Sequence, residues 1–167
     1  MPLRILTNEL RLSKSQRRVM RRCNGIDVRF VQPKYKTEIF EIYRDHSLSR
    51  FGRLSDESEF ISSFYIQSCP SLQSEYYFKG RLIAVGFIDV SSEALSSVYF
   101  VYRSEYQDLR LGTLSVLVEA SHAASLGLRY YYLGYYIPEC GRMEYKGHYH
   151  PHETYDWTTG IWNREND

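Results

Sequence analysis

What this 167-residue chain has little of narrows its chemistry first. Its three cysteines, Cys23, Cys69 and Cys140, are odd in number, far apart and free of any CxxC or Cys/His spacing. Neither a disulfide framework nor a structural zinc site is expected from them. No stretch approaches the 18 or more apolar residues of a membrane span, and the first residues, MPLRILTNELRLSK, hold no apolar run like that of a signal peptide. A reduced, cytoplasmic protein with no membrane partner is the expectation. One-sided charge is missing too: a net charge of +1 exerts no global pull on a polyanion, so any such site must come from local clustering. Internal repeats, low-complexity tracts and Pro/Gly-rich linkers are absent, which points to one domain over residues 1–167.

Tyrosine is what the chain has in excess, with 16 copies against 8 Phe and 2 Trp. A tyrosine brings apolar area and a polar tip, so part of the excess suits a half-wet groove. The hydrophobic pattern gives the order of elements. Residues 13–22 read as a short helix with Ser13 or Ser15 as N-cap, and IDVRFVQP (26–33) alternates as a half-buried strand does. Helical spacing follows over 35–52, then again over 55–67, where acidic residues crowd the first turn. EYYF (75–78) and RLIAVGFIDV (81–90) read as a hairpin turning at Lys79-Gly80, with a further strand at 96–102. A helix over 111–128 ends at Gly127, and 129–137 is a strongly apolar strand stopped by Pro138. Helices, an antiparallel meander, a helix and a returning strand predict an α+β fold with a mixed central sheet flanked by helices. That order resembles the Gcn5-related N-acetyltransferase superfamily.

In CoA-using members of that superfamily, a glycine-rich loop at a helix N-terminus holds a pyrophosphate. Here the same place reads Gln107-Asp108-Leu109-Arg110-Leu111-Gly112-Thr113, with one glycine kept, one missing and an acid added. Four blocks in order, SKSQRRVMRR (13–22), SSVYFVY (96–102), LGTLSVL (111–117) and YYYLGYYIPECGRMEYKGHYHPHE (130–153), resemble another group. They are similar to the C-terminal domain of arginyl-tRNA–protein and bacterial leucyl-tRNA–protein transferases.

The resemblance implies an acetyltransferase-like fold that takes its acyl group from aminoacyl-tRNA, a co-substrate, and needs no cofactor. It implies transfer of an amino acid, arginine or leucine, onto an amine. The family's N-terminal cysteine-cluster domain has no counterpart in these residues, so a partner chain could stand in for it. Arg103-Ser104, Arg110 and His150 depart from the family pattern. They leave the acceptor open among a protein, a peptide and a small-molecule amine. An acyl-CoA-dependent acetyltransferase and a noncatalytic tRNA- or protein-binding module remain as alternatives.

Candidate residues follow. Lys14, Arg17, Arg18 and Arg21 share one helical face suited to tRNA phosphates, although a solvated surface has the same pattern. Gln16 lies inside the same block and is a candidate tRNA contact with them. Gly112 and Thr113 open the helix where the acyl donor would dock. Tyr99, Tyr135, Tyr136 and Lys146 are the catalytic candidates: tyrosines to stack on the terminal nucleoside and a cation to face the ester oxygen. Tyr135 and Tyr136 cannot both face one groove from a strand. Gly134 suits a bulge or a close backbone approach, and Glu153 could fix a cationic group. His148, His150 and His152 alternate as metal ligands on a strand might, but Pro151 interrupts them and no metal is expected. The expected chemistry is positioning rather than covalent catalysis, since the ester is already activated. Freeing the acceptor α-amine costs about 1.4 kcal/mol at neutral pH, against roughly 7–11 kcal/mol available from positioning.

Overall fold

A computed structural model describes residues 1–166. Among the described residues eight strands form one mixed sheet. In chain order the elements are β1 (Pro2–Leu6), α1 (Lys14–Arg22), β2 (Ile26–Val31), α2 (Thr37–Phe51), α3 (Glu57–Phe64), β3 (Ser71–Phe78), β4 (Arg81–Val90), β5 (Ala94–Tyr102), α4 (Leu111–Ser125), β6 (Tyr130–Tyr135), β7 (His152–Asp156) and β8 (Ile161–Glu165). Across the sheet the strands run β2-β3-β4-β5-β6-β1-β7-β8. Among the described residues no helix is long and apolar enough to cross a membrane.

The meander, the crossover helix and the parallel return are as the sequence predicts. β3, β4 and β5 pair antiparallel in succession, α4 follows, and β6 returns parallel to β5. Three strands were not expected. β1 enters between β6 and β7, and the β7–β8 hairpin closes one edge. The first strand of the meander also begins earlier, at Ser71 rather than at residue 75.

Alternation along the strands sorts the core onto two faces. Leu3, Ile5, Leu95 and Tyr131 pack under Val116, Leu117 and Ala120 of α4. On the opposite face Val85, Phe87 and Val101 pack against Ile39, Phe40 and Ile42 of α2 and Phe60 of α3. α1 lies beside α4, setting Val19 and Cys23 against Leu111 and Leu114. Contacts with the sheet and α1 bury α4 on more than one side: Leu111, Val116 and Glu119 are buried as well as Leu114, Leu117 and Ala120.

The pairing of β5 with β6 is short, and this positions the site. It covers Ala94–Tyr130, Leu95–Tyr131 and Ser96–Tyr132 and stops there, while β5 continues to Tyr102 and β6 to Tyr135. A bulge on each strand marks the parting. The β4–β5 register slips at Phe87/Ile88, where Val98 is the extra residue, and the β1–β6 register slips at Leu3/Arg4 opposite Leu133. A bulge bends its strand and raises the local twist, so the two strands diverge into a wedge.

Candidate active site

Gly134 has φ +77, a conformation glycine adopts without strain, and stands at the β6 side of the wedge. β6 spends its other edge on β1, where Met1 and Tyr136 exchange backbone hydrogen bonds. The carbonyls of Leu133 and Tyr135 therefore face the unpaired side. Both accept from the Lys146 ammonium, each at 2.7 Å. A Cβ at Gly134 would lie 3.9 Å from that Nζ, an ordinary contact, so the positive φ rather than the lysine's approach is what calls for glycine here. Burial holds the Lys146 pKa below the ordinary lysine value.

Lys146 belongs to a 3-10 turn, Glu144–His148, that forms one wall. Gly147 is tightly packed there: a Cβ would fall 2.8 Å from the Tyr136 hydroxyl. Tyr136 packs half-buried against the core, whereas its neighbour Tyr135 is 62% exposed, so the two do point differently. Tyr149, fully buried, sits with the Thr113 side chain beside its hydroxyl, which brings the N-terminus of α4 to the same wall. Arg110 stands at the N-cap of α4 in the left-handed region with φ 57, and a side chain on Gly112 would meet nothing within 4 Å. The helix start is thus open, without a side-chain cap.

A cavity of about 580 Å³ opens on the α2/α3 face. Tyr99 of β5 lines it with Tyr43, Phe51 and Phe60, which supply aromatic walls. Arg50, Arg53 and Arg142 add three guanidinium groups, and Asp56 and Glu59 two carboxylates. The cavity and the wedge share the 137–148 segment, which supplies Arg142 to the first and Lys146 to the second. Arg50 links them from α2: its guanidinium donates to the Tyr102 hydroxyl at 3.3 Å and lies close enough to Tyr145 to oppose the rise that burial causes in that phenol's pKa. His46 backs this region. Its Nδ1 accepts the Tyr102 N–H at 3.5 Å, and burial lowers its pKa, favouring neutral imidazole.

Of the residues singled out from sequence, Tyr99, Gly112, Thr113, Gly134, Tyr136 and Lys146 gather around the wedge and its cavity, with Tyr135 at the solvent edge. Lys14, Arg17, Arg18 and Arg21 are exposed on α1, while Gln16 and Val19 face inward. Gln16 is committed to the fold: its Oε1 accepts from the Ser13 N–H in a capping box and its Nε2 donates to the His148 carbonyl. Glu153 lies apart, in an ion pair of 2.6 Å with Arg4, whose guanidinium sits between the Tyr130 and Trp162 rings. His148, His150 and His152 occupy a turn, an isolated bridge and a strand respectively, not one strand face. The departures at Arg103 and Ser104 anchor the end of β5 to α2 through Glu38 and Asp45. Arg50, Arg142 and Tyr145 were not singled out from sequence. Arg142 and Tyr145 lie in the 130–153 block that carries the family resemblance, whereas Arg50 carried no signal.

The family model described as arginine-tRNA-protein transferase, C terminus, matches residues 36–156. Among curated proteins, the aspartate/glutamate leucyltransferase of Stutzerimonas stutzeri (strain A1501) is 35% identical over 156 residues, covering 91% of this chain and 66% of that protein. The protein of the same name from Chromobacterium violaceum is 33% identical over 154 residues, covering 90% and 64%. The chain thus spans just under two thirds of the length of these relatives. Among solved structures, L-PGS from Bacillus licheniformis superposes with a TM-score of 0.61 at 14% identity, covering 80% of this chain and 44% of that one. FemX superposes with a TM-score of 0.58 at 8% identity, covering 80% and 52%. At such identities these two likenesses concern the fold alone.

Proposed function

Because the chain belongs to the arginine-tRNA-protein transferase C-terminal family, we propose that it moves an amino acid from a charged tRNA onto an amine, forming an amide bond. The names of the curated relatives supply the form of the reaction we assign: leucine as the group transferred, with aspartate or glutamate as the acceptor. Arginine is the alternative donor, and a peptide or small-molecule amine the alternative acceptor. The chain acts in the cytoplasm as one catalytic domain without a cofactor.

The observation that carries the reading is the Lys146 ammonium held in the parting of β5 and β6 by two strand carbonyls. Two of its three N–H groups are committed, so the ammonium is fixed before substrate arrives. The aminoacyl ester lies in the wedge with its carbonyl oxygen towards the remaining N–H of Lys146. The neutral acceptor amine attacks from the cavity side, a C–N bond forms, and the oxyanion collects its charge beside the cation. Collapse breaks the ester C–O bond, and the amine proton passes to the departing ribose oxygen. A fixed donor aimed at developing charge needs no reorganisation during reaction, which is where such groups are most effective.

The exposed basic residues of α1 contact tRNA phosphates in this reading, since the helix start lies against the wall of the wedge. Gln16 ties α1 to His148, and Arg110 reaches Ser15 at 3.0 Å. The test is incubation with total charged tRNA and acceptor peptides, with acetyl-CoA in a parallel reaction. An RNase-sensitive adduct of one amino-acid residue supports the transferase; an acetyl adduct replaces it with the CoA-dependent reading; binding without either product leaves a noncatalytic module.

A further inference from the structure

The cavity beside the wedge has a charge arrangement that the transfer chemistry does not by itself require. Arg50, Arg53 and Arg142 come from three separate places: the last turn of α2, the loop after it, and the loop after β6. None forms an ion pair within 4 Å among the described residues, although Asp56 and Glu59 line the same cavity. Asp56 is already used, accepting from the Glu59 N–H and the Ser58 hydroxyl as the cap of α3. Arg53 also borders a second, smaller hollow with Leu48 and Leu54, so it is shared between two sites. Arg50 and Arg142, both exposed, are the two tied to the elements of the wedge, one bonded to Tyr102 of β5 and the other four residues before Lys146. Two guanidinium groups free of ion pairs, in a cavity with aromatic walls, form a receptor for a carboxylate, because planar forks match its two oxygens.

We propose that Arg50 and Arg142 are the specificity-determining residues of the acceptor site, binding the side-chain carboxylate of an acidic first residue. This assignment rests on the transferase reading for its consequence, though not for the binding itself. With the carboxylate held in the cavity, the α-amine two or three carbons away is directed to the mouth of the wedge. Discrimination against the neutral amide analogue follows, since Asn or Gln would offer an N–H where both arginines donate.

The test compares short peptides beginning with Asp, Glu, Asn or Gln, both in direct binding to the protein without tRNA and in transfer. Arg50→Gln and Arg142→Gln alter exposed polar groups, and melting curves confirm that each variant folds. The expected result is selective binding of acidic peptides by the wild type, weakened on the order of 10- to 100-fold in each variant. Arg50→Lys should restore part of the loss. The KM for charged tRNA should stay unchanged. Acidic peptides that bind and react equally well in wild type and both variants would overturn the assignment. So would variants that raise the KM for tRNA equally with every acceptor, which would identify the arginines as phosphate contacts. Arginine-dependent binding of acidic peptides with no transfer from any charged tRNA would uphold the acceptor site and sink the transferase reading instead.

Discussion

Glu119 lies in the middle of α4 at 1% exposure, with no ion-pair partner among the described residues. Three hydroxyls donate to it: Ser74 and Tyr76 of β3 to one oxygen, Tyr131 of β6 to the other. Tyr131 pairs with Leu95 next to the point where β5 and β6 part, so this carboxyl stands behind the apex of the wedge. Burial opposes its ionisation more than the hydroxyls assist it, and its pKa is pushed up to about 7 from 4.5. Between these values the native protein keeps a proton that the unfolded chain releases. The resulting stability is fully present below about pH 4.5 and is gone above about pH 7. That interval corresponds to about 3 kcal/mol. Glu119→Gln keeps the shape and removes the titration. Urea unfolding of both proteins at pH 5 and pH 8 isolates the effect, because the titrations of His46, His122, His152 and Glu75 are common to the two and cancel. The variant should gain about 2–3 kcal/mol relative to wild type on going from pH 5 to pH 8. Parallel pH dependences would refute the assignment of a raised pKa to this carboxyl.

Three further outcomes follow from the geometry described above. Lys146→Ala should lower kcat for transfer about 10²- to 10³-fold, the loss typical of an oxyanion donor, with Lys146→Arg recovering little because a planar fork replaces a point charge; single-turnover rates with saturating tRNA check this. Gly86→Ala drives a Cβ into Ser74 Oγ and to 2.5 Å from Glu119 Oε1, so it should destabilise by about 1–3 kcal/mol in urea unfolding. Arg17→Ala with Arg18→Ala should weaken tRNA binding and flatten the slope of log K against log salt by about one for each phosphate no longer neutralised, as read by titrations at several salt concentrations.

What could be read in the sequence was local. The helix of residues 111–125 repeats apolar residues at 3.6 spacing and ends at Gly127, and the β3–β4 turn is marked by Lys79-Gly80; both are where the pattern puts them. β1 was hidden because PLRIL is five residues long, and its burial depends on β6 and β7, more than 120 residues away. HETYD and IWNRE carry too many polar residues to look like strands, and they become strands by pairing with each other and with β1. The site shows the same division. Lys146 and Gly134 are legible within one block of chain, and their approach spans only 12 residues. Arg50 and Arg142 share a cavity made by segments some 90 residues apart, a relation no spacing rule contains. Gln16 shows a local signal misread: Ser13-x-x-Gln16 is a capping box, which turns the amide inward, whereas its basic neighbours suggested an outward, tRNA-facing role.

The wedge between β5 and β6 is the proposed place of amino-acid transfer from tRNA to an amine. Mass spectrometry of a peptide with an acidic amino terminus, after incubation with leucyl-tRNA and this protein, tests it most directly. One added leucine residue on the α-amine is expected, lost when RNase is added first and strongly reduced in Lys146→Ala. An unmodified peptide with every charged tRNA, from protein that is folded and binds both partners, would contradict it.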